Sequence, residues 1–515
     1  MKQATWKRSA AARSVALLIV ALAVAAPLAR GQSLADFEKR MTKFTLNNGL
    51  TFLVLERHEA PVISFHTYAD VGSVNEVKGI TGLAHIFEHM AFKGSKTVGT
   101  KNYQAEAKAM AKADEAFLAL RQERLKGDRA DPKRLEQWQK QFDAAQQEAE
   151  KYVVHDEFEE ALTQAGGVGL NASTSADSTE YVISLPSNKL ELWMSLESDR
   201  FLNPVLREFY KEKDVVMEER RLRTDSQPIG RLLEEFLAVA YKAHPYGEPT
   251  IGHMSDLQVI TRPQAEAFFN QYYSPSDLTI AIVGDVNSPE VRRLAEIYFG
   301  RLPSRPKPDP VVTVEPPQPG ERCATVEDPS QPFVLIGYHK PDINHPDDAV
   351  FDAITDIMGN GRTSRLYRSL VKEKKVAIAA SGFPGLPGNK YPGLFLFYAV
   401  PAQGRTNQEC EDAIYAEIEK LKTEPVSPEE LEKAKTRSRA DLIWQLSSNS
   451  GLAALLTFYD VLTGDWRNLF KQLDKIDRVT AADIQRVAQE YFISNNRTVS
   501  VIITTSPKNP GGEAK

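Results

Sequence analysis

Two stretches of the chain repeat one pattern, and a run of prolines separates them. The first, EAFFNQYYSPSDLTIAIVGD, begins at residue 266, and the second, QRVAQEYFISNNRTVSVIIT, begins at residue 485. Each is a helical pattern ending in an aromatic pair (Tyr272 with Tyr273, Tyr491 with Phe492), then a polar turn, then a β-rich run. The two align without a gap through Thr279 and Thr498. Between them, residues 300–322 read GRLPSRPKPDPVVTVEPPQPGER, a composition that resists helix and sheet and predicts an extended linker. A unit repeated on either side of such a linker predicts two related domains. The length agrees, since 515 residues exceed what one core usually holds.

The elements predicted within each half are of the same kinds. In the first, FTLNNGLTFLVLER reads as a hairpin around Asn47, Asn48 and Gly49, and PVISFHTYADVGS as a third strand. NASTSADSTEYVISLP, residues 171–186, returns to strand composition, and two helices follow. In the second half QPFVLIGYHKP is a strand, DDAVFDAITDIMGN a helix and YPGLFLFYAVP a strand. Strand groups interleaved with helices predict an α+β protein of two related domains, each a mostly antiparallel sheet packed with helices. Residues 104–151 stand apart. They are rich in Ala, Glu, Gln, Lys and Arg and are broken by GDRADP at 127–132, which predicts a helical hairpin inserted in the first domain.

Composition excludes little. A net charge of −6 and 26% charged residues describe an ordinary soluble chain and give no sign of a nucleic-acid surface. At the N-terminus Lys2, Lys7, Arg8 and Arg13 precede SVALLIVALAVAAPLA, with Ala29 and Gly31 placed for cleavage before Gln32. This reads as a secretory signal peptide over residues 1–31, so the mature protein is expected to be periplasmic or secreted, with no membrane span. Cys323 and Cys410 are too few for a disulfide framework and fit a pair or two free thiols.

One short motif carries chemistry. Within GLAHIFEHMAFKGS, His85, Glu88 and His89 spell H-x-x-E-H. On a helix the two histidines lie one turn apart on one face, where their imidazoles can converge on an ion, and Glu88 lies close enough to act on a water there. Neutral imidazoles suit Zn²⁺, and a carboxylate beside them can accept a proton from water and pass it to a leaving amine, the tools of amide hydrolysis. A catalytic zinc usually takes a third protein ligand. The remaining histidines are scattered, whereas YKEKDVVMEERRLRTD puts Glu212 and Glu219 seven residues apart on one helix face that also carries Val215 and Val216. An acid on a buried stripe needs a partner, and from spacing alone that partner is either a metal or an arginine such as Arg220 or Arg223.

These stretches, together with LNASTSADSTEYVISLP, EKDVVMEERRLR, HPYGEPTIG and GNGRTSRLYRSL, occur in an order that resembles the pitrilysin/insulinase family of inverted-motif zinc peptidases over most of the mature chain. The resemblance implies one Zn²⁺ per chain held by His85, His89 and Glu219, with Glu88 as general base and Glu212 as a supporting acid. It implies that Asn171 and Ala172 begin an edge strand that binds an extended peptide substrate through its backbone. His89 and Glu219 lie further apart in sequence than is usual in the family, by about the length of the hairpin. Active members also carry an arginine and a tyrosine seven apart in the second domain, and aligned on LYRSLVKEKKVAIAAS those positions are Val371 and Ile378. The family includes chains of this length that work as dimers of unlike subunits, as mitochondrial processing peptidase does, and this implies a homologous partner supplying the pair. A non-catalytic assembly subunit and an active homodimer are the alternatives. The expected organisation is a zinc-binding peptidase domain at 33–299, the linker at 300–322, a related domain without a metal site at 323–506 and a disordered tail at 507–515.

Overall fold

The computed structural model describes residues 34–506, so the signal peptide assigned to 1–31 and the tail assigned to 507–515 lie outside the described residues. Residues 34–41 hold one short helix, Leu34–Glu38. The rest of the described chain builds two sheets. The first contains β1 (Met41–Thr45), β2 (Thr51–Glu56), β3 (Val62–Ala69), β4 (Val168–Thr174), β5 (Thr179–Pro186) and β6 (Leu278–Gly284), in the order β1-β2-β6-β3-β5-β4. The second contains β7 (Arg322–Asp328), β8 (Phe333–Lys340), β9 (Ala377–Leu386), β10 (Gly393–Pro401) and β11 (Arg497–Thr504), in the order β7-β11-β8-β10-β9. Apart from β1 the two orders are the same. The late strand of each half pairs parallel to one neighbour and antiparallel to the other, β6 with β2 and β3, β11 with β7 and β8. The repeat seen in sequence is therefore a repeat of topology, and the α+β class with two related, mostly antiparallel domains holds.

One arrangement goes beyond the repeat. A helix from each half crosses to the other sheet. Pro228–Ala240, from the first half, packs on β7 and β11, and Asn449–Thr463, from the second, packs on β3 and β6. Phe236 is fully buried among Leu335, Leu394, Leu396 and Ile502. A side chain at Gly337 would meet the Phe236 ring at 2.4 Å, so glycine there is what lets the helix approach. Covered on both faces, β3 and β6 are buried almost throughout, where alternation would mark a sheet with one wet face. The crossing is also polar: Thr457 of the second half hydrogen-bonds the Nδ1 of buried His66 at 2.9 Å.

The inserted hairpin is formed by Tyr103–Arg124 and Pro132–Glu150, which pack along each other through residues such as Phe117, Leu120 and Phe142. Its base is tied by Arg207, whose fully buried guanidinium pairs with Glu106 at 2.8 Å and donates to the backbone carbonyls of Lys93, Ser95 and Val98. Cys323 is exposed and Cys410 buried, both as free thiols.

The proline-rich stretch carries neither helix nor strand between Arg301 and Arg322, yet it is anchored along its length. The Glu315 carboxylate accepts from the N–H groups of Lys242, Ala243 and His244 at 2.8, 2.8 and 3.1 Å, where the first crossing helix ends. Lys307 reaches Asp70 at 3.1 Å and Asp277 at 3.4 Å, and Lys390 of the second half also bonds Asp70. Burial, reinforced by the Asp70 charge, pushes the Asp277 carboxyl from an ordinary 3.8 up to about 7 against the pull of both lysines. The folded chain thus holds this proton more tightly than the unfolded chain. That contribution to stability is complete below about pH 4 and is lost as the pH rises through 7. Between pH 5 and pH 8 the loss should be about 3 kcal/mol. Asp277→Asn should remove it, seen as a smaller fall in Tm between those two pH values than in the parent.

Candidate metal centre

The H-x-x-E-H stretch lies on the helix Leu83–Met90. Its start is fixed by Gly82, whose φ of 92° favours glycine and where any side chain would meet the Ile251 carbonyl at 2.8 Å. The buried Glu76 carboxylate accepts from the N–H groups of Gly82 at 2.7 Å and Ala84 at 2.6 Å, satisfying donors that a helix start leaves open. Leu83, Ala84, Ile86, Phe87 and Met90 face the core. This leaves His85, Glu88 and His89 on the side that meets β4 and the helix Phe209–Arg220.

The second helix brings Glu212, Val216 and Glu219 to that side. Val216 is fully buried, but Val215 is 45% exposed, so the expectation of both valines on the inward face needs correcting: the contact with the motif helix is narrow and Val215 falls outside it. After Arg220 the helix widens into a looser turn over Arg221–Asp225, a feature often found beside functional sites.

The structure brings the two histidines and Glu219 together. His85 Nε2 lies 3.6 Å and His89 Nε2 3.5 Å from the same Glu219 oxygen, Oε2. One donor atom from each of the three residues lies within 4.8 Å of the others. Ligands about 2.0–2.1 Å from a tetrahedral ion sit about 3.3 Å from one another, so these spacings fit such an ion with little adjustment. The other Glu219 oxygen pairs with Arg223 at 2.7 Å. Of the two partners that the sequence left open for this acid, the arginine is present on one oxygen, and the other oxygen faces the two imidazoles where an ion would sit. Arg220 instead pairs with Glu234.

Of the remaining polar groups, His85 Nδ1 is buried without a hydrogen-bond partner among the described residues, while His89 and Glu88 each have one. Burial, followed by the neighbouring His89, drives the His85 imidazole down to about 4, which keeps it neutral and able to donate a lone pair near pH 7. Burial acts to lower His89 too, but the carboxylates of Glu212, Glu219 and Glu88 outweigh it and raise its pKa. Glu212 faces His89 Nδ1 at 3.5 Å and is itself held by Lys93 at 2.6 Å, an outer contact of the kind that orients a metal-binding imidazole. Burial raises the Glu88 carboxyl above its usual range, partly offset by a 2.6 Å hydrogen bond donated by Thr174. A carboxyl so raised is better matched to proton transfer at neutral pH.

Asn171 and Ala172 lie on β4, the last strand of its sheet, opposite Val182 and Tyr181 of β5. Ala172 leans on the core and Asn171 is exposed, so the free edge of β4 runs beside the motif helix. Val371 lies on the helical segment Tyr367–Glu373 against the second core, and Ile378 on β9 is 57% exposed. Neither side chain offers a hydrogen bond. A second group of donors, Glu150, His155 and Glu208, carries its own cation: Lys211 lies 2.7 Å from Glu208 and 3.7 Å from Glu150. Among the described residues no helix is long and apolar enough to cross a membrane.

Sequence reasoning missed Thr174 and Lys93. Thr174 had a signal, since it is two residues after Ala172 and so on the same face of an edge strand. Lys93 had a weaker one, its place one turn after His89.

Comparison with known proteins gives concordant results. Residues 52–124 and 143–253 match the family described as Insulinase (Peptidase family M16), and residues 260–438 match the one described as Peptidase M16 inactive domain. The first match is interrupted only at 125–142, the turn of the hairpin and the first half of its second helix. The chain is 31% identical to the zinc protease PqqE of Helicobacter pylori over 462 residues, 88% of this chain and 90% of that one. It is 26% identical to an uncharacterized zinc protease of Mycobacterium leprae over 65% of this chain and 75% of that one. A crystal structure of a protease from Helicobacter pylori superposes with a TM-score of 0.75 at 30% identity, over 90% of this chain and 99% of that one. The periplasmic protease PqqL of Escherichia coli shares the fold, with a TM-score of 0.67 at 17% identity, over 91% of this chain and 48% of that one.

Proposed function

Because the chain belongs to the insulinase (peptidase M16) family, we propose that it is the zinc-bearing subunit of an exported endopeptidase that cuts peptides or unfolded segments. The observation that carries this reading is the convergence of His85, His89 and Glu219, two imidazoles each 3.5–3.6 Å from one carboxylate oxygen, the three protein ligands that a catalytic zinc usually takes. Zinc bound there would supply Lewis acidity to a scissile carbonyl and to an attacking water.

The chain's own residues do the rest. Glu88 takes the water's proton on its carboxylate and hands it to the departing amine. Glu212 holds the His89 ring so that its Nε2 faces inward. The edge of β4 around Asn171 and Ala172 accepts an extended peptide as an added strand, reading main chain rather than sequence and laying the scissile bond along the motif helix. Val371 and Ile378 leave the second domain without donors for the tetrahedral intermediate, so a homologous, non-identical partner supplies an arginine and a tyrosine. Export to the periplasm follows from the N-terminal pattern of Lys2 to Gly31.

The rival reading, a non-catalytic assembly subunit, draws on that same loss of donors. It gives no reason for a raised Glu88 carboxyl beside a complete ligand set. Titration of the metal-stripped chain should reach one Zn²⁺ per chain, and Glu219→Gln should weaken that binding by at least about 100-fold. A chain that takes up no stoichiometric zinc contradicts the proposal.

A further inference from the structure

Among the described residues, the only hydrogen bond to the Glu88 carboxylate comes from neither helix of the centre. It comes from the Thr174 hydroxyl, which donates to Glu88 Oε2 at 2.6 Å from the last residue of β4. Strand and base are therefore joined by one short bond.

The end of that strand is held from several directions. Thr174 pairs with Thr179 across the β4–β5 hairpin, and the turn between them is closed by Ser175, which takes the N–H groups of Asp177 at 3.1 Å and Ser178 at 3.0 Å. The backbones of Ser73 and Val74 donate to the carbonyls of Ser175 and Ala176 at 3.2 and 3.0 Å. Buried Asp177 accepts the Tyr246 hydroxyl at 2.5 Å and, from the second half, the N–H groups of Asn389 at 2.7 Å and Lys390 at 3.0 Å. A side chain at Gly388 would lie 2.3 Å from the Asp177 carboxylate, so the second half fits closely over this turn. A hydroxyl at the root of so constrained a turn has a fixed position. It can set the rotamer of a half-buried glutamate that has no other hydrogen-bond partner among the described residues.

We propose that Thr174 is a positioning residue, which aligns the Glu88 carboxylate and makes that alignment depend on the same strand to which the peptide adds. The proposal rests on the functional reading above. It assigns Thr174 no contact with the reacting atoms: its hydroxyl keeps its proton, shared with Glu88 Oε2, while the other carboxylate oxygen is left for the water.

The test is Thr174→Val, nearly the same shape without the hydroxyl, measured in the peptidase assembly isolated from its native host. Misplacing a reacting group by an ångström costs about 100-fold, so kcat should fall by about 10- to 100-fold. KM for a fluorogenic peptide should change by less than about twofold, since main-chain pairing along β4 is untouched. The variant should still hold one zinc per chain, and Thr174→Ser should restore most of kcat. A Thr174→Val enzyme with parental kcat overturns the proposal. So does a loss accompanied by loss of zinc or not restored by serine, because either marks a merely structural role. Glu88→Gln separates the two readings. If it abolishes hydrolysis while Thr174→Val does not, only the role of Thr174 falls. If Glu88→Gln leaves hydrolysis intact, the functional reading and this one fall together.

Discussion

Glu88→Gln should reduce peptide hydrolysis by about 100- to 10,000-fold while the chain keeps its zinc. Glutamine matches glutamate in shape, and its amide oxygen can still accept the Thr174 hydroxyl, so the side chain should stay in place. What it lacks is the ability to take a proton. The size of the effect follows from the job assigned, since a positioned general base contributes about that range. Measuring kcat/KM and metal content on the same preparation separates the possible roles. Activity lost with zinc retained identifies a proton carrier. Zinc lost as well would make Glu88 a ligand, and would move Glu219 out of that place despite its contacts of 3.5 and 3.6 Å. Activity retained would mean that some other group accepts the proton, and no other carboxylate on the motif helix is available to do so.

The sequence carried the repeat, the strands and the motif helix because each rests on local pattern: an aromatic pair before a β run, alternation, or one turn between histidines. It did not carry the exchange of helices between halves. Leu232, Phe236 and Leu237 mark an apolar face, but nothing in a helical period says which sheet will cover it. The linker was legible as extended chain but not as an anchored strap, because the groups that hold it, Glu315 and Lys307 among them, bond to backbone and acids far away in sequence. Glu219 shows the limit most clearly. Its spacing from Glu212 favoured an arginine over a metal as its partner, and in the folded chain Arg223 takes one oxygen while the other faces the two imidazoles. Val215 went astray for a related reason: a seven-residue spacing defines a face but not its width. Thr174 was overlooked because a threonine in a strand is ordinary β composition, and only the packing of β4 against the motif helix makes its hydroxyl informative.

The other large effect concerns what this chain lacks. If the proposed partner supplies the missing pair, the chain alone should hydrolyse peptides about 100- to 1,000-fold more slowly than the two-subunit assembly, the usual cost of removing a donor to a tetrahedral intermediate. The argument depends on Val371 and Ile378. Val371 is partly buried against the second core, so an arginine there would give up that apolar packing to carry its charge to solvent. Ile378 stands 57% exposed on β9, an apolar side chain where a hydroxyl would be useful. The shortfall is thus built into two separate positions of the second domain and is not one substitution from repair. Zinc affinity, on the proposed ligand set of His85, His89 and Glu219, should be the same with and without the partner, so the comparison isolates the transition state from the metal. Hydrolysis by the lone chain at the rate of the assembly would show that its own groups stabilise the intermediate, and the case for a second subunit would then rest on nothing in this sequence.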